Sequence, residues 1–149
     1  MTDYGLLNAQ LAEMTAEVPH RVANLANASA LLYETLADLN WAGFYLMEDG
    51  KLVLGPFQGR IACVEIAVGK GVCGTAVEQN RTLRVEDVHQ FPGHIACDCA
   101  SESEIVIPIR KDGAVIGVLD IDSPRLARFT AEDQAGLEAF VRVLEKQVF

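Results

Sequence analysis

The stretch from Ser103 to Asp122 constrains this chain more than any other. Two apolar runs, residues 103–110 and 114–122, flank Lys111-Asp112-Gly113, where aspartate and glycine tolerate the left-handed backbone of a tight turn. In the second run both side-chain faces are apolar almost to its end, so it reads as a central strand. It ends unusually. Asp120 and Asp122 continue the face of Ile116 and Val118, and carboxylates rarely continue a buried face without a task. Register decides what they do. A three-residue turn pairs Arg110 with Ala114 and sets Glu104 opposite Asp120, with β-carbons roughly 5 Å apart. A two-residue turn sets Glu104 opposite Ile121 instead. In the first case the three acids form one site. Their like charges then raise at least one carboxyl pKa, so one member keeps a proton while the others bind a cation. The alternative is a solvated strand end.

The rest of the chain supplies partners for this hairpin. The first forty residues read as two helices, with Leu6, Leu7, Leu11 and Met14 in one and Val22, Leu25, Leu32, Leu36 and Leu39 in the next. Pro19 separates them. Residues 41–47 are rich in aromatics and precede Asp49-Gly50, a hairpin signal, so a sheet begins there and continues through residues 52–54. Residues 61–68 read as a third strand, 73–79 as a short helix and 82–85 as a fourth strand. Thr130, with Asp133 three residues on, is a capping-box start for a last helix to about Gln147. The sum is an α+β fold: one domain over residues 1–149, with a mainly antiparallel sheet of about six strands and flanking helices. Residues 86–101 form the longest irregular segment, and a loop of that length in a compact domain usually serves function.

Composition narrows what the domain can do. The chain has 149 residues, 50% of them hydrophobic, and its 12 basic residues against 21 acidic ones give a net charge of −9. A chain this long and apolar buries a full core without disulfide or metal staples. One this acidic, with no basic cluster, is repelled by phosphate backbones, which excludes nucleic acid as its main partner. The first eleven residues lack the basic opening and apolar core of a signal peptide. The longest uncharged stretch, residues 22–33, contains Asn24, Asn27 and Ser29 and is too short to span a membrane. The expected location is the cytoplasm, where cysteines stay reduced and a disulfide is usually transient and redox-active.

Four cysteines, Cys63, Cys73, Cys97 and Cys99, therefore need an explanation other than folding. Their spacings include no two-to-four-residue zinc knuckle. None of His20, His89 and His94 is followed two residues later by glutamate, as the zinc deaminase pattern requires. The spacings thus point to no metal. Cys63 and Cys73 sit in apolar company, where free cysteine is often a small core hydrophobe. Cys97 differs, because it lies in the polar loop Pro92-Gly93-His94-Ile95-Ala96-Cys97-Asp98-Cys99, where glycine lets backbone amides approach a ligand. It is the candidate nucleophile.

Read in order, several motifs have a familiar pattern: Asn40-Trp41-Ala42-Gly43-Phe44-Tyr45, Leu54-Gly55-Pro56-Phe57-Gln58-Gly59-Arg60, Gly69-Lys70-Gly71-Val72-Cys73-Gly74, the run from Phe91 to Asp98, Ser103-Glu104-Ile105-Val106, and Gly117 to Ser123. Together they resemble the free methionine-(R)-sulfoxide reductases, a family built on a GAF domain, and the likeness covers nearly the whole chain. The resemblance implies a GAF fold over residues 1–149 and an enzyme that reduces the R epimer of free L-methionine sulfoxide. It also implies thioredoxin as external reductant, no bound cofactor and a homodimer. Position by position, it implies Cys97 as nucleophile, Cys63 as resolving cysteine and Cys73 as an auxiliary one. Glu104, Asp120 and Asp122 match the substrate-site acids, and Trp41 and Tyr45 match the aromatic wall that faces the substrate's S-methyl group. Cys99 departs from the family pattern and is an additional candidate resolving thiol. GAF domains also serve as small-ligand sensors, but a resolving cysteine beside a nucleophile favours catalysis.

Overall fold

Asp49-Gly50 and Asp112-Gly113 each place two successive residues at positive φ, 51° and 81° in the first pair and 53° and 82° in the second. That is the backbone of a two-residue hairpin turn whose twist matches the strands it joins. Around these turns and their neighbours the computed structural model describes residues 1–94 and 100–149. Six strands pair antiparallel in the order β3-β2-β1-β6-β5-β4. They are β1 (Trp41–Glu48), β2 (Lys51–Gly59), β3 (Glu65–Ala67), β4 (Leu83–Val85), β5 (Ser103–Lys111) and β6 (Ala114–Ser123). The apolar strand expected at the centre of the sheet is there, since β6 lies between β1 and β5.

The hairpin register differs from both sequence-based alternatives. The turn holds two residues, with Lys111 opposite Ala114. A β-bulge then intervenes, because Arg110 faces Val115 while Ile109 faces Gly117, leaving Ile116 as the extra residue. The added residue restores parity. Glu104 therefore falls opposite Asp122, neither Asp120 nor Ile121, and Val106 falls opposite Asp120. The same bulge turns Ile116 away from the face of Val118: Ile116 packs against the core on one side of the sheet and Val118 belongs to the other.

Four helices cover the two faces: α1 (Tyr4–Thr15), α2 (Arg21–Thr35), α3 (Gly71–Gln79) and α4 (Ala131–Gln147). α1 starts where Asp3 accepts a hydrogen bond from the Leu6 N–H at 3.0 Å. α4 starts at a reciprocal Thr130–Asp133 capping box, as the sequence predicts. On one face α2 lies against β1 and β2 and α4 against β5, with α1 packed on both helices. There Phe44, Ile105, Ile107, Ile109, Leu119 and Ile121 are fully buried with Leu25, Leu32, Leu137 and Phe140. On the other face α3 lies against β3, β5 and β6, burying Val72, Cys73 and Ala76 with Trp41, Tyr45, Val106 and Val118. None of the helices among the described residues is long and apolar enough to cross a membrane.

Two further expectations are corrected. The second strand is longer than residues 52–54, running to Gly59 through a register shift opposite Gly43 and Tyr45 that accommodates Pro56. The third is shorter than residues 61–68, because the carbonyls of Arg60 and Cys63 go to side chains of β1. The Trp41 indole N–H donates to the Arg60 carbonyl at 3.1 Å and the Tyr45 hydroxyl to that of Cys63 at 2.9 Å.

Candidate functional site

Cross-strand pairing puts the acids together. Residues opposite each other in a sheet share a face, so Glu104 and Asp122 stand side by side, with Asp120 opposite Val106 on that same face. Across β1, Trp41 pairs with Asp122, Gly43 with Asp120 and Tyr45 with Val118. Gly43 has no room for a side chain: a Cβ there would lie 2.3 Å from that of Phe57. Its absence lets Phe57 stack on Trp41 at 5.1 Å between ring centroids, while Trp41 stacks on Tyr45 at 5.9 Å.

These residues wall a cavity of about 50 Å³. The sheet contributes Trp41, Tyr45, Glu104, Asp120 and Asp122; the start of α3 contributes Lys70, Gly71, Val72 and Cys73; His94 and Ser101 come from the long loop, and Ile61, Ala62 and Ile66 complete the wall. α3 can approach so closely because Gly74 carries no Cβ, which would sit 2.3 Å from the Ala67 carbonyl oxygen. Its first turn therefore faces the cavity with amides that no intrahelical carbonyl can serve, and Lys70 stands beside them. The cavity wall thus combines three carboxyl groups with a helix start and a lysine that favour anions.

Burial dominates the electrostatics. Glu104 and Asp120 are 7% and 6% exposed. Desolvation pushes the Glu104 carboxyl well above its usual range, and the charges of Asp120 and Asp122 add to it. Asp122 is raised for the same reasons, burial first and then Asp120, with the Ser101 hydroxyl opposing. Asp120 is also raised by burial, but hydrogen bonds from Glu104, Cys73 and Asp122 pull it back. Asp120 is thus raised least of the three and gives up its proton most readily, while burial favours the protonated forms of Glu104 and Asp122. Desolvation and then Asp120 and Glu104 raise the Cys73 thiol well above its usual value. Burial and then His89 lower His94, which favours its neutral imidazole.

The sequence-predicted residues Trp41, Tyr45, Cys73, Glu104, Asp120 and Asp122 thus meet in one cavity. Cys63 follows Ala62 at its wall, with its carbonyl held by Tyr45, and is disulfide-bonded. Cys97 and Cys99 lie outside the described residues. Sequence reasoning did not single out Lys70 or Ser101 as site residues. The Gly69-Lys70-Gly71 break was the available signal for Lys70: both glycines have positive φ, so the chain turns sharply into α3 there. Ser101 carries no comparable local mark; it accepts from the Asn40 side chain at 3.0 Å and reaches Asp122. An aromatic wall, a cluster of carboxyl groups, and a helix start with a lysine that favour anions suit a small zwitterion.

The family model for the GAF domain matches residues 22–145. The free methionine-R-sulfoxide reductase of Escherichia coli (strain K12) is 60% identical over 143 residues, covering 96% of this chain and 87% of that protein. The fRMsr of Staphylococcus aureus in complex with substrate superposes with a TM-score of 0.95 at 55% identity, covering 100% of this chain and 97% of the other. The free methionine-R-sulfoxide reductase of Neisseria meningitidis in complex with its substrate gives 0.94 at 44% identity over 97% and 87%.

Proposed function

Because the chain belongs to the GAF-domain family of the free methionine-R-sulfoxide reductases, we propose that it reduces free L-methionine (R)-sulfoxide to L-methionine by cysteine chemistry and is recycled by thioredoxin. The observation that carries this reading is the trio of buried Glu104, buried Asp120 and half-buried Asp122, which lines one cavity with Trp41 and Tyr45. The ionised Asp120 meets the substrate's ammonium, and the first-turn amides of α3 with Lys70 meet its carboxylate. The rings of Trp41 and Tyr45 take the S-methyl end. A peptide-bound residue offers neither charge. Each lost charge-assisted bond leaves a buried partner unpaired at a cost of about 1.5–3 kcal/mol, which separates free from peptide-bound sulfoxide.

In the chemical step the Cys97 thiolate attacks the sulfoxide sulfur. The protonated pair Glu104 and Asp122 delivers a proton to the oxygen as the sulfur–oxygen bond breaks. The hydroxyl passes to the Cys97 sulfur as the sulfur–sulfur bond formed in the attack breaks and its electron pair returns to the substrate's sulfur, so methionine leaves and Cys97, oxidised by two electrons, is a sulfenic acid. The Cys63 thiol then condenses with that acid, forming a disulfide and releasing water, and the dithiol of thioredoxin reduces the disulfide. Neutral His94 is available to accept the Cys97 thiol proton. Cys73 is the auxiliary thiol of the pattern and Cys99 an additional resolving one. The same reading carries a single domain over residues 1–149, a cytoplasmic homodimer and no bound cofactor.

The test is coupled NADPH consumption with thioredoxin, thioredoxin reductase and free R or S methionine sulfoxide. R-selective turnover is expected, lost in Cys97→Ser. Cys63→Ser is expected to release one methionine per site and then stall. Absence of R-selective turnover in the native protein would sink the reading, and full activity in Cys97→Ser would overturn the nucleophile.

A further inference from the structure

The chemistry above gives Cys73 no step of its own, yet the fold buries this thiol among carboxylates. Its Sγ, one oxygen of Glu104 and one of Asp120 all lie within 4.8 Å of one another, and all three residues are buried. A second observation points to a ligand there. Asp120 lines the cavity at 6% exposure, and its buried Oδ1 meets no hydrogen-bond donor among the described residues; Asp122 Oδ1 is in the same position. Buried carboxylate oxygens without donors are costly, and a cation supplies the missing contact.

We propose that this cavity is a site for a divalent cation of the zinc class, held by Cys73 Sγ and the carboxylates of Glu104 and Asp120 with Asp122 beside them, and that the ion inhibits by displacing the substrate's ammonium. The inhibitory half rests on the reading of the preceding subsection. Ligand atoms around tetrahedral zinc stand roughly 3.4–3.6 Å apart, given bonds of about 2.3 Å to sulfur and about 2.1 Å to oxygen, so side-chain rotations close the cluster around the ion. Three protein ligands leave a fourth position for water or Asp122. The thiolate selects zinc-like ions over magnesium and calcium, which prefer oxygen. On binding, Cys73 and the protonated acids release their protons to solvent, and no electron moves. The spacings of the four cysteines do not show such a site, because it joins residues that only the sheet and α3 bring together.

Cobalt(II) is the probe, added without oxygen to a Cys63→Ser/Cys97→Ser/Cys99→Ser variant, in which Cys73 is the remaining thiol. One equivalent is expected to give a thiolate-to-cobalt charge-transfer band that zinc abolishes. The exposed group Asp87, His89 and Glu102 holds no sulfur and cannot produce that band. Glu104→Gln and Asp120→Asn, each checked for native circular dichroism, are expected to weaken binding by more than the roughly 10–100-fold that outer-shell partners contribute. Absence of the band, or unchanged affinity in both folded variants, overturns the site. In the native protein zinc is expected to raise KM for the sulfoxide without lowering kcat; a fall in kcat at constant KM overturns the displacement. The cobalt measurement requires no turnover, so a protein that binds the ion but reduces no sulfoxide separates failure of the reductase reading from failure of the metal site.

Discussion

The same three strands build two unlike surfaces. On the helix-covered face, β5 presents Ile105, Ile107 and Ile109, β6 presents Leu119 and Ile121, and β1 presents Ala42 and Phe44, all buried. Burying each large side chain of that set contributes about 1.5–3 kcal/mol. On the opposite face the alternate residues include Glu104, Asp120 and Asp122 among Trp41, Tyr45, Val106 and Val118. That face gives up apolar packing for carboxylates whose burial opposes their ionisation. One sheet thus supports both an apolar core and a site of buried carboxyl groups. Strand side chains alternate, so stability gathered on one face offsets what the other gives up for chemistry, provided register never slips by one residue.

Glu104 separates the two faces most sharply. Glu104→Gln is expected to cut kcat/KM by about 10²–10⁴-fold, the usual worth of a positioned acid, while the thermal midpoint holds or rises because a buried ionisable group is gone. A marked loss of midpoint would mean that the pocket face is structural. On the helix side the opposite pattern is expected. Phe140→Ala, at 0% exposure, is expected to cost about 3–5 kcal/mol in urea unfolding, with kcat/KM per folded molecule unchanged.

The next effect concerns pH. Glu104 and Asp122 have folded-state pKa values raised by burial, so the native state holds protons that the unfolded chain releases above its ordinary carboxylate pKa of about 4. Their contribution to stability is fully present below that value and is lost as pH rises toward their raised values. The native protein is therefore expected to gain midpoint, relative to a Glu104→Gln/Asp122→Asn variant, as pH falls from 7 to 5. Asp133, at the α4 cap, behaves oppositely. Burial pushes it up, but the Thr130 N–H, the Tyr4 hydroxyl and Arg128 outweigh that and lower it. Its contribution is present above the ordinary carboxylate value and disappears as pH falls through its lowered one. Asp133→Asn is thus expected to lower the neutral midpoint and to flatten its fall in acid.

The smallest expected effect is at Tyr45. Its hydroxyl donates to the Cys63 carbonyl at 2.9 Å, a hydrogen bond worth about 0.5–1.5 kcal/mol. Tyr45→Phe keeps the ring, so single-turnover methionine release is expected to persist while thioredoxin-coupled turnover slows by about 2–10-fold, following from that energy. Equal slowing of both would place the hydroxyl in substrate binding rather than in positioning Cys63.

Local features were legible because their causes are local. Asp-Gly turns need positive φ, Thr130 with Asp133 closes a capping box within one turn, and Pro19 lies between two helices. The acids were legible because carboxylates on a buried strand contradict its pattern. Their pairing was not. Residues 61–64 resemble a strand in composition, yet Trp41 and Tyr45 capture the carbonyls of Arg60 and Cys63 from a distance in sequence that no local pattern records. Lys70 and Ser101 likewise acquire meaning from neighbours contributed by other elements.

The sequence alone carried the element types, the central place of β6, the family pattern and the residues that gather at one cavity. The tertiary structure decided that Glu104 meets Asp122, that Asp120 shares their face, and that Cys73 joins them from α3. The physical reason is parity. Turn length and bulges add along a hairpin, and a single extra residue at Ile116, without a distinctive residue type to announce it, sets which side of the sheet every carboxylate occupies.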